Sequence, residues 1–253
     1  MLGFLLSVGV ARAQGTFYGI KGGLTIANQQ WNDFEREPLL AYHAILSAES
    51  LPRQGRFSLF AQLGYHVKGS SIRRAFAGNP FGVGVFRLPS QKFEFYNIGL
   101  TLGAKQRLTD DPNASFYYLF GIRGDYTVDT NLDEYNTFVD EVNSGSSTIV
   151  VSRNAFPLDV YYNGSTLLGV RRINYGLTVG GGYEMMFSQY IGALIEFTVN
   201  PDFSLQYQQP RIENAVNPFN PNSNTVIPER RIRNLTFELT VGLRFLRKVE
   251  YID

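Results

Sequence analysis

Histidine occurs twice, at His43 and His66, and cysteine does not occur at all. Chemistry in this chain must therefore come mostly from carboxylates, amines, guanidiniums and hydroxyls. Two imidazoles could bind a metal or accept a proton as a base. A metal centre needs a third ligand, and none stands at a fitting spacing. Hydrogen bonding inside a polar environment accounts for both histidines equally well, so no catalytic residue, no metal ligand and no cofactor is expected. Without cysteine there are neither disulfides nor thiolate metal sites. A barrel enzyme acting on lipid or peptide would need a Ser, His or Asp cluster at one rim, and none can be assembled here.

Other stretches resemble binding motifs only superficially. DTNLDEYNTFVDE, Asp129–Glu141, lacks the alternating Asp/Asn and Gly of a calcium loop and reads as a solvated acidic loop. GGLTIAN and GGGYEM contain clustered glycines. These glycines lie within strand patterns, not between a strand and a helix, so they are not phosphate loops.

Most charged residues of interest sit in segments that alternate apolar and polar residues. LTFELTVGLRF, Leu235 to Phe245, is the clearest: Leu235, Phe237, Leu239, Val241, Leu243 and Phe245 share one face. Such a period of two is a strand with one apolar and one polar side. Seven more segments read the same way: Thr16–Ala27, Leu40–Ser50, Phe57–Lys68, Phe95–Arg107, Phe116–Val128, Ile173–Met185 and Ile191–Asn200. In the second, Ile45 breaks the alternation.

The polar faces collect Lys21, Glu49, Lys68, Lys105, Arg107, Arg123, Asp125, Glu184, Glu196, Glu238 and Arg244. Both signs are present in near balance. If these faces point into a barrel, the charges must pair, because an unpaired buried charge costs several kcal/mol. A lumen plugged by salt bridges is expected. A conducting pore is the alternative, although eight strands enclose little more than the side chains.

The connections between segments alternate strictly in length. LPRQGR, TDDPNA and FSQY are short, and two of them carry turn formers. Asn28–Pro38, Gly69–Lys92, Asp129–Arg172 and Pro201–Arg231 are longer. In the longest, TIVV and LDVYY suggest a hairpin that extends beyond the barrel. Its Val150, Val151, Leu158, Val160, Tyr161 and Tyr162 are the candidate partner-contact residues. NPFNPNSN, Asn217–Asn224, reads as an irregular loop.

These features predict an all-β chain: an eight-stranded, antiparallel, up-and-down transmembrane β-barrel with short periplasmic turns and long extracellular loops. A lipocalin-like soluble binder would put the apolar faces inside instead. Two features favour lipid outside. Glycines crowd the polar faces, among them Gly64, Gly99, Gly103, Gly121, Gly180 and Gly182, as a narrow lumen requires. Aromatics such as Tyr18, Tyr65, Tyr126 and Phe245 lie near the ends of the apolar faces, where interfacial girdles belong.

The N-terminal LGFLLSVGVA with Ala11-Arg12-Ala13 has the form of an export signal with a cleavage site, giving a signal peptide over 1–13 and one barrel domain over 14–253. No later apolar run is long enough for a membrane helix. A formal net charge of +1 gives no electrostatic case for nucleic acid. The outer membrane of a Gram-negative bacterium is the expected location, and its lipid the first partner.

FYGIKGGLTIAN (Phe17–Asn28), FYNIGLTLGAKQRL (Phe95–Leu108), NYGLTVGGGYEM (Asn174–Met185) and the closing LTFELTVGLRF resemble the PorT-like outer-membrane barrels of Bacteroidota. The resemblance covers nearly the whole mature chain except the long loops, through loose, glycine-marked strand motifs. It implies an eight-stranded outer-membrane barrel and, from the family's namesake, a link to type IX secretion. It offers no catalytic residue. The resulting expectation is a non-enzymatic barrel that engages a protein complex of the envelope, with a small-solute channel as the alternative.

Overall fold

The computed structural model describes residues 15–31, 36–51, 56–72, 77–78, 85–86, 91–109, 111, 113–131, 170–217, 220–227 and 229–248. In chain order the strands are β1 (Gly15–Trp31), β2 (Leu39–Ser50), β3 (Phe57–Ile72), β4 (Ala77–Gly78), β5 (Val85–Phe86), β6 (Gln91–Arg107) and β7 (Ala114–Thr130). They continue as β8 (Ile173–Met186), β9 (Ile191–Pro201), β10 (Tyr207–Gln209), β11 (Ile212–Asn217), β12 (Asn220–Ile227) and β13 (Arg230–Lys248). No helix occurs among the described residues.

Eight long strands, β1, β2, β3, β6, β7, β8, β9 and β13, each pair antiparallel with the next. The ring closes where β1 meets β13, from Gly15 opposite Lys248 to Trp31 opposite Ile232. Closure leaves no open edge in this ring, so its backbone N–H and C=O groups find partners within the wall. β4–β5 and β11–β12 form two small separate hairpins. β10 carries the wall onward from β9, pairing Tyr207 with Ile232.

The alternation of residue types becomes an alternation of exposure. On β7, Phe116, Tyr118, Phe120, Ile122 and Tyr126 are exposed, while Tyr117, Leu119, Arg123, Asp125 and Thr127 are buried. The other wall strands repeat this over most of their length. The outer surface is thus apolar and the interior largely polar, the reverse of a soluble barrel.

Three readings of the sequence need correction. The strands extend further toward the long connections than the alternation suggested: β1 reaches Trp31, β3 reaches Ile72 and β13 begins at Arg230. Asn220–Ile227, which overlaps the stretch read as irregular, is β12 and pairs with β11. Ile45, the apolar residue that interrupts the polar face of β2, points inward and is 5% exposed, and the strand continues through it. Val67, expected on the outer face, is buried with Ala27, Leu39 and Ala41.

The last correction has a local cause. The β2–β3 pairing runs as far as His43 opposite His66, and the chains meet again where Glu37 bridges Ser71. Between these points the β2 side is one residue longer, and β3 contains Gly69 at φ 151°. A Cβ there would lie 1.9 Å from the Phe93 carbonyl oxygen. Glycine is required at this position on both counts.

Candidate functional site

The strand period decides which side chains enter the lumen, and the register decides whom they meet. At the end that carries the short turns, Glu49 of β2 and Glu184 of β8 face three cations. Lys105 lies 3.2 Å from Glu49, Arg107 2.6 Å from it and Arg244 3.2 Å from it. All three cations also pair with Glu184. The Ser58 hydroxyl donates to Glu49 at 2.8 Å. Two aromatic faces support the cluster: Lys105 sits 3.8 Å above the Tyr117 ring and Arg244 4.1 Å above Phe17.

Halfway along the lumen, Lys21 pairs with Glu196 at 3.2 Å, and Tyr117 Oη donates to the same carboxylate at 2.9 Å. Tyr117 and Leu119 pack against Phe60 to form an apolar layer inside the barrel. Glycine makes room for it. A Cβ on Gly103 would lie 2.6 Å from Phe60 Cζ.

Nearer the long connections lies a second ion cluster. Lys68 Nζ is 2.7 Å from Asp125 and 2.8 Å from Asp202. Arg123 is 3.0 Å from Asp125, 3.2 Å from Asp202 and 3.9 Å from Glu238. His66 Nδ1 is 2.8 Å from Glu238. The side chains of Lys68, Asp125 and Asp202 are 0% exposed, so the barrel is filled at this level. Above them a hydrogen-bonded layer joins Gln29, Asn234 and Gln206. Phe93, Phe95, Tyr207 and Ile232 are fully buried toward the same end.

The eleven charged residues assigned from the sequence thus sit in three groups: two clusters and one central pair. Sequence reasoning missed Asp202, which joins Lys68 and Arg123. Its signal was present, since Glu196, Thr198, Asn200 and Asp202 continue the period of two across Pro201. It also missed the Tyr117 hydroxyl. The candidate contact residues Val150, Val151, Leu158, Val160, Tyr161 and Tyr162 lie outside the described residues, as does the segment 1–13.

His43 and His66 are direct partners across β2 and β3, with rings stacked at 5.9 Å. His43 is hydrogen-bonded at 2.9 Å through Nδ1 to Thr25 and through Nε2 to Thr240. Both of its nitrogens are therefore occupied by wall hydroxyls. Among the described residues no group of three His, Asp or Glu side chains could hold a metal ion. What this interior does is brace the wall: apart from Arg123–Asp125, which lies within β7, the ion pairs join parts of the barrel that are not neighbours in the sheet.

No family model matches the chain, and no curated protein matches it. Several solved structures are similar in strand arrangement. The Neisserial surface protein A superposes with a TM-score of 0.45 at 12% identity, over 92% of this chain and 97% of that one. Ail, the attachment invasion locus protein of Yersinia pestis, solved with the heparin analogue sucrose octasulfate, gives 0.40 at 11% identity, over 92% and 99%. Outer membrane protein W of E. coli gives 0.38 at 11% identity, over 92% and 100%. Likenesses this distant carry no role across to this chain.

Proposed function

We propose that this chain is an integral outer-membrane barrel of a Gram-negative envelope. In this reading, residues 1–13 direct export and the short turns face the periplasm. The end with long connections engages a protein partner, and the barrel itself performs no catalysis. The observation that carries this reading is the inversion of the wall. Ile20, Leu100, Ile122 and Val241 stand half or more exposed on the outside, while Lys68, Arg123 and Glu238 are buried within. Water would oppose that exterior, whereas hydrocarbon accommodates it.

The plugged interior directs attention to the outside of the barrel. Cross-linked ion pairs at two levels leave little room for solute passage, so the work falls to the surfaces beyond the wall. The long connections all leave one end, as a partner-binding role requires. A component of type IX secretion is the partner class suggested by the resemblance to PorT-like barrels. The test is extraction of cell envelopes in mild detergent followed by native gel electrophoresis. Co-migration with a larger assembly supports the partner role, and migration as a lone barrel removes it. Recovery in the soluble fraction overturns the membrane reading itself. Steady conductance in planar bilayers would replace the partner role with a channel.

A further inference from the structure

The outer wall is apolar along most of its length, but its rim is charged, and one sector of that rim is basic. At the end of the long connections, Arg171, Arg172, Arg231 and Arg233 are all exposed. Arg231 and Arg233 alternate on β13 with the buried Ile232 and Asn234, so they point outward. Gln208 of β10 is the register partner of Arg231. Arg171 donates a hydrogen bond to that same Gln208 side chain, which brings it against β13. Arg172 Nη1 donates to Tyr126 Oη at 3.3 Å. The four guanidiniums thus line one arc, over the start of β8, β10 and β13.

Directly below this arc the wall is apolar and aromatic. Ile173 is 72% exposed, and Tyr126, Tyr175 and Phe203 stand out beside it. A cation row placed one step beyond an apolar belt lies at the depth of lipid headgroups. Glu229 pairs with Arg231 at 2.9 Å and contributes one negative charge to the arc. Further round the rim, on β6 and β7, the outward residues are Glu94 and Asp129, with Lys92 beside them. The rim is therefore polarised, and the basic sector is local.

We propose that Arg171, Arg172, Arg231 and Arg233 form a docking surface for the phosphorylated headgroup of a lipid in the adjoining leaflet. The proposal rests on the membrane reading above. Guanidinium suits the role because its planar donor fork matches phosphate oxygens two at a time. The aromatic and aliphatic side chains beneath would take the acyl chains of the same molecule.

The test uses the full chain, refolded into lipid vesicles and then transferred to maltoside micelles. Native mass spectrometry follows retention of a bis-phosphorylated glucosamine lipid, of its dephosphorylated form and of a soluble polyphosphate. Substituting Arg171→Gln together with Arg233→Gln is expected to weaken the phosphorylated lipid by roughly thirty-fold, the loss for two charges at an anionic surface. Arg171→Lys with Arg233→Lys should retain most of the binding. Arg247→Gln, at the opposite rim, should change nothing. Unchanged retention by the double Gln variant overturns the proposal. So does equal binding of the dephosphorylated lipid, or of the soluble polyphosphate without acyl chains. Failure of the parent chain to insert into vesicles is a separate outcome, which overturns the membrane reading and this inference with it.

Discussion

Lys68 Nζ lies 2.8 Å from Asp202 Oδ2 and joins β3 to a residue 134 positions away in the chain. Asp125 is on the other side of the same ammonium at 2.7 Å. Removing one partner of a buried ion pair leaves a charge without compensation, which costs about 3–5 kcal/mol. Lys68→Met should destabilise the barrel by that amount, because Asp125 and Asp202 would then share only Arg123. The double substitution Lys68→Met with Asp202→Asn should recover part of the loss. Urea unfolding in vesicles, followed by gel mobility, measures both. Equal stability of the parent and Lys68→Met would contradict the bracing role of this cluster.

The apolar exterior gives a prediction that depends on depth. Ile122 is 60% exposed at the centre of β7. An arginine at the middle of a bilayer costs a barrel about 2–4 kcal/mol, falling to about 0–1 kcal/mol near an interface. Ile122→Arg should therefore unfold far more readily in vesicles than Ile191→Arg, at the first residue of β9. A soluble barrel would tolerate both, so similar modest effects would remove the lipid-facing assignment.

Much of this architecture is legible in the sequence because a strand has a period of two. Phe116–Val128 announces its two faces residue by residue, and the alternation of short and long connections announces an up-and-down order. Less legible are the places where the interior is apolar. Ile45 and Phe60 face the lumen, and for Phe60 the room comes from its register partner Gly103, where a Cβ would lie 2.6 Å from Phe60 Cζ. Pairing across the lumen is not legible at all. The period fixes a side chain's face, but the stagger of the closed sheet fixes its height and therefore its partner. Nothing local to Lys68 points to Asp202, and Pro201 disguises the end of the period that contains it.

Two glycines should respond oppositely to alanine. Gly69 has φ 151°, and a Cβ there would meet the Phe93 carbonyl oxygen at 1.9 Å. Forcing a side chain into such backbone costs about 1–3 kcal/mol, and the clash adds to it. Gly124 has nothing within 4 Å of its would-be Cβ. Gly124→Ala should be neutral, or stabilising by about 0.4–1 kcal/mol through the unfolded chain. Comparing the urea midpoints of the two variants tests whether β3 needs glycine at position 69.

The cluster at the short-turn end should show strong coupling between Glu184 and Arg244. Two carboxylates, Glu49 and Glu184, are shared by Lys105, Arg107 and Arg244. Glu184→Gln leaves three cations, two of them buried, facing Glu49 alone, so their mutual repulsion is no longer offset. Arg244→Gln instead leaves two cations for two carboxylates, a balanced set. In the double variant, Lys105 and Arg107 still pair with Glu49, and one of the three crowded cations is gone. The loss in the double variant should therefore fall short of the summed single losses, with a coupling of about 0.5–3 kcal/mol. Most of the penalty should come from Glu184→Gln. Added salt should change these differences little, because screening acts weakly on buried charges. Additive losses in a double-mutant cycle of urea unfolding would mean that Arg244 does not share the Glu184 carboxylate.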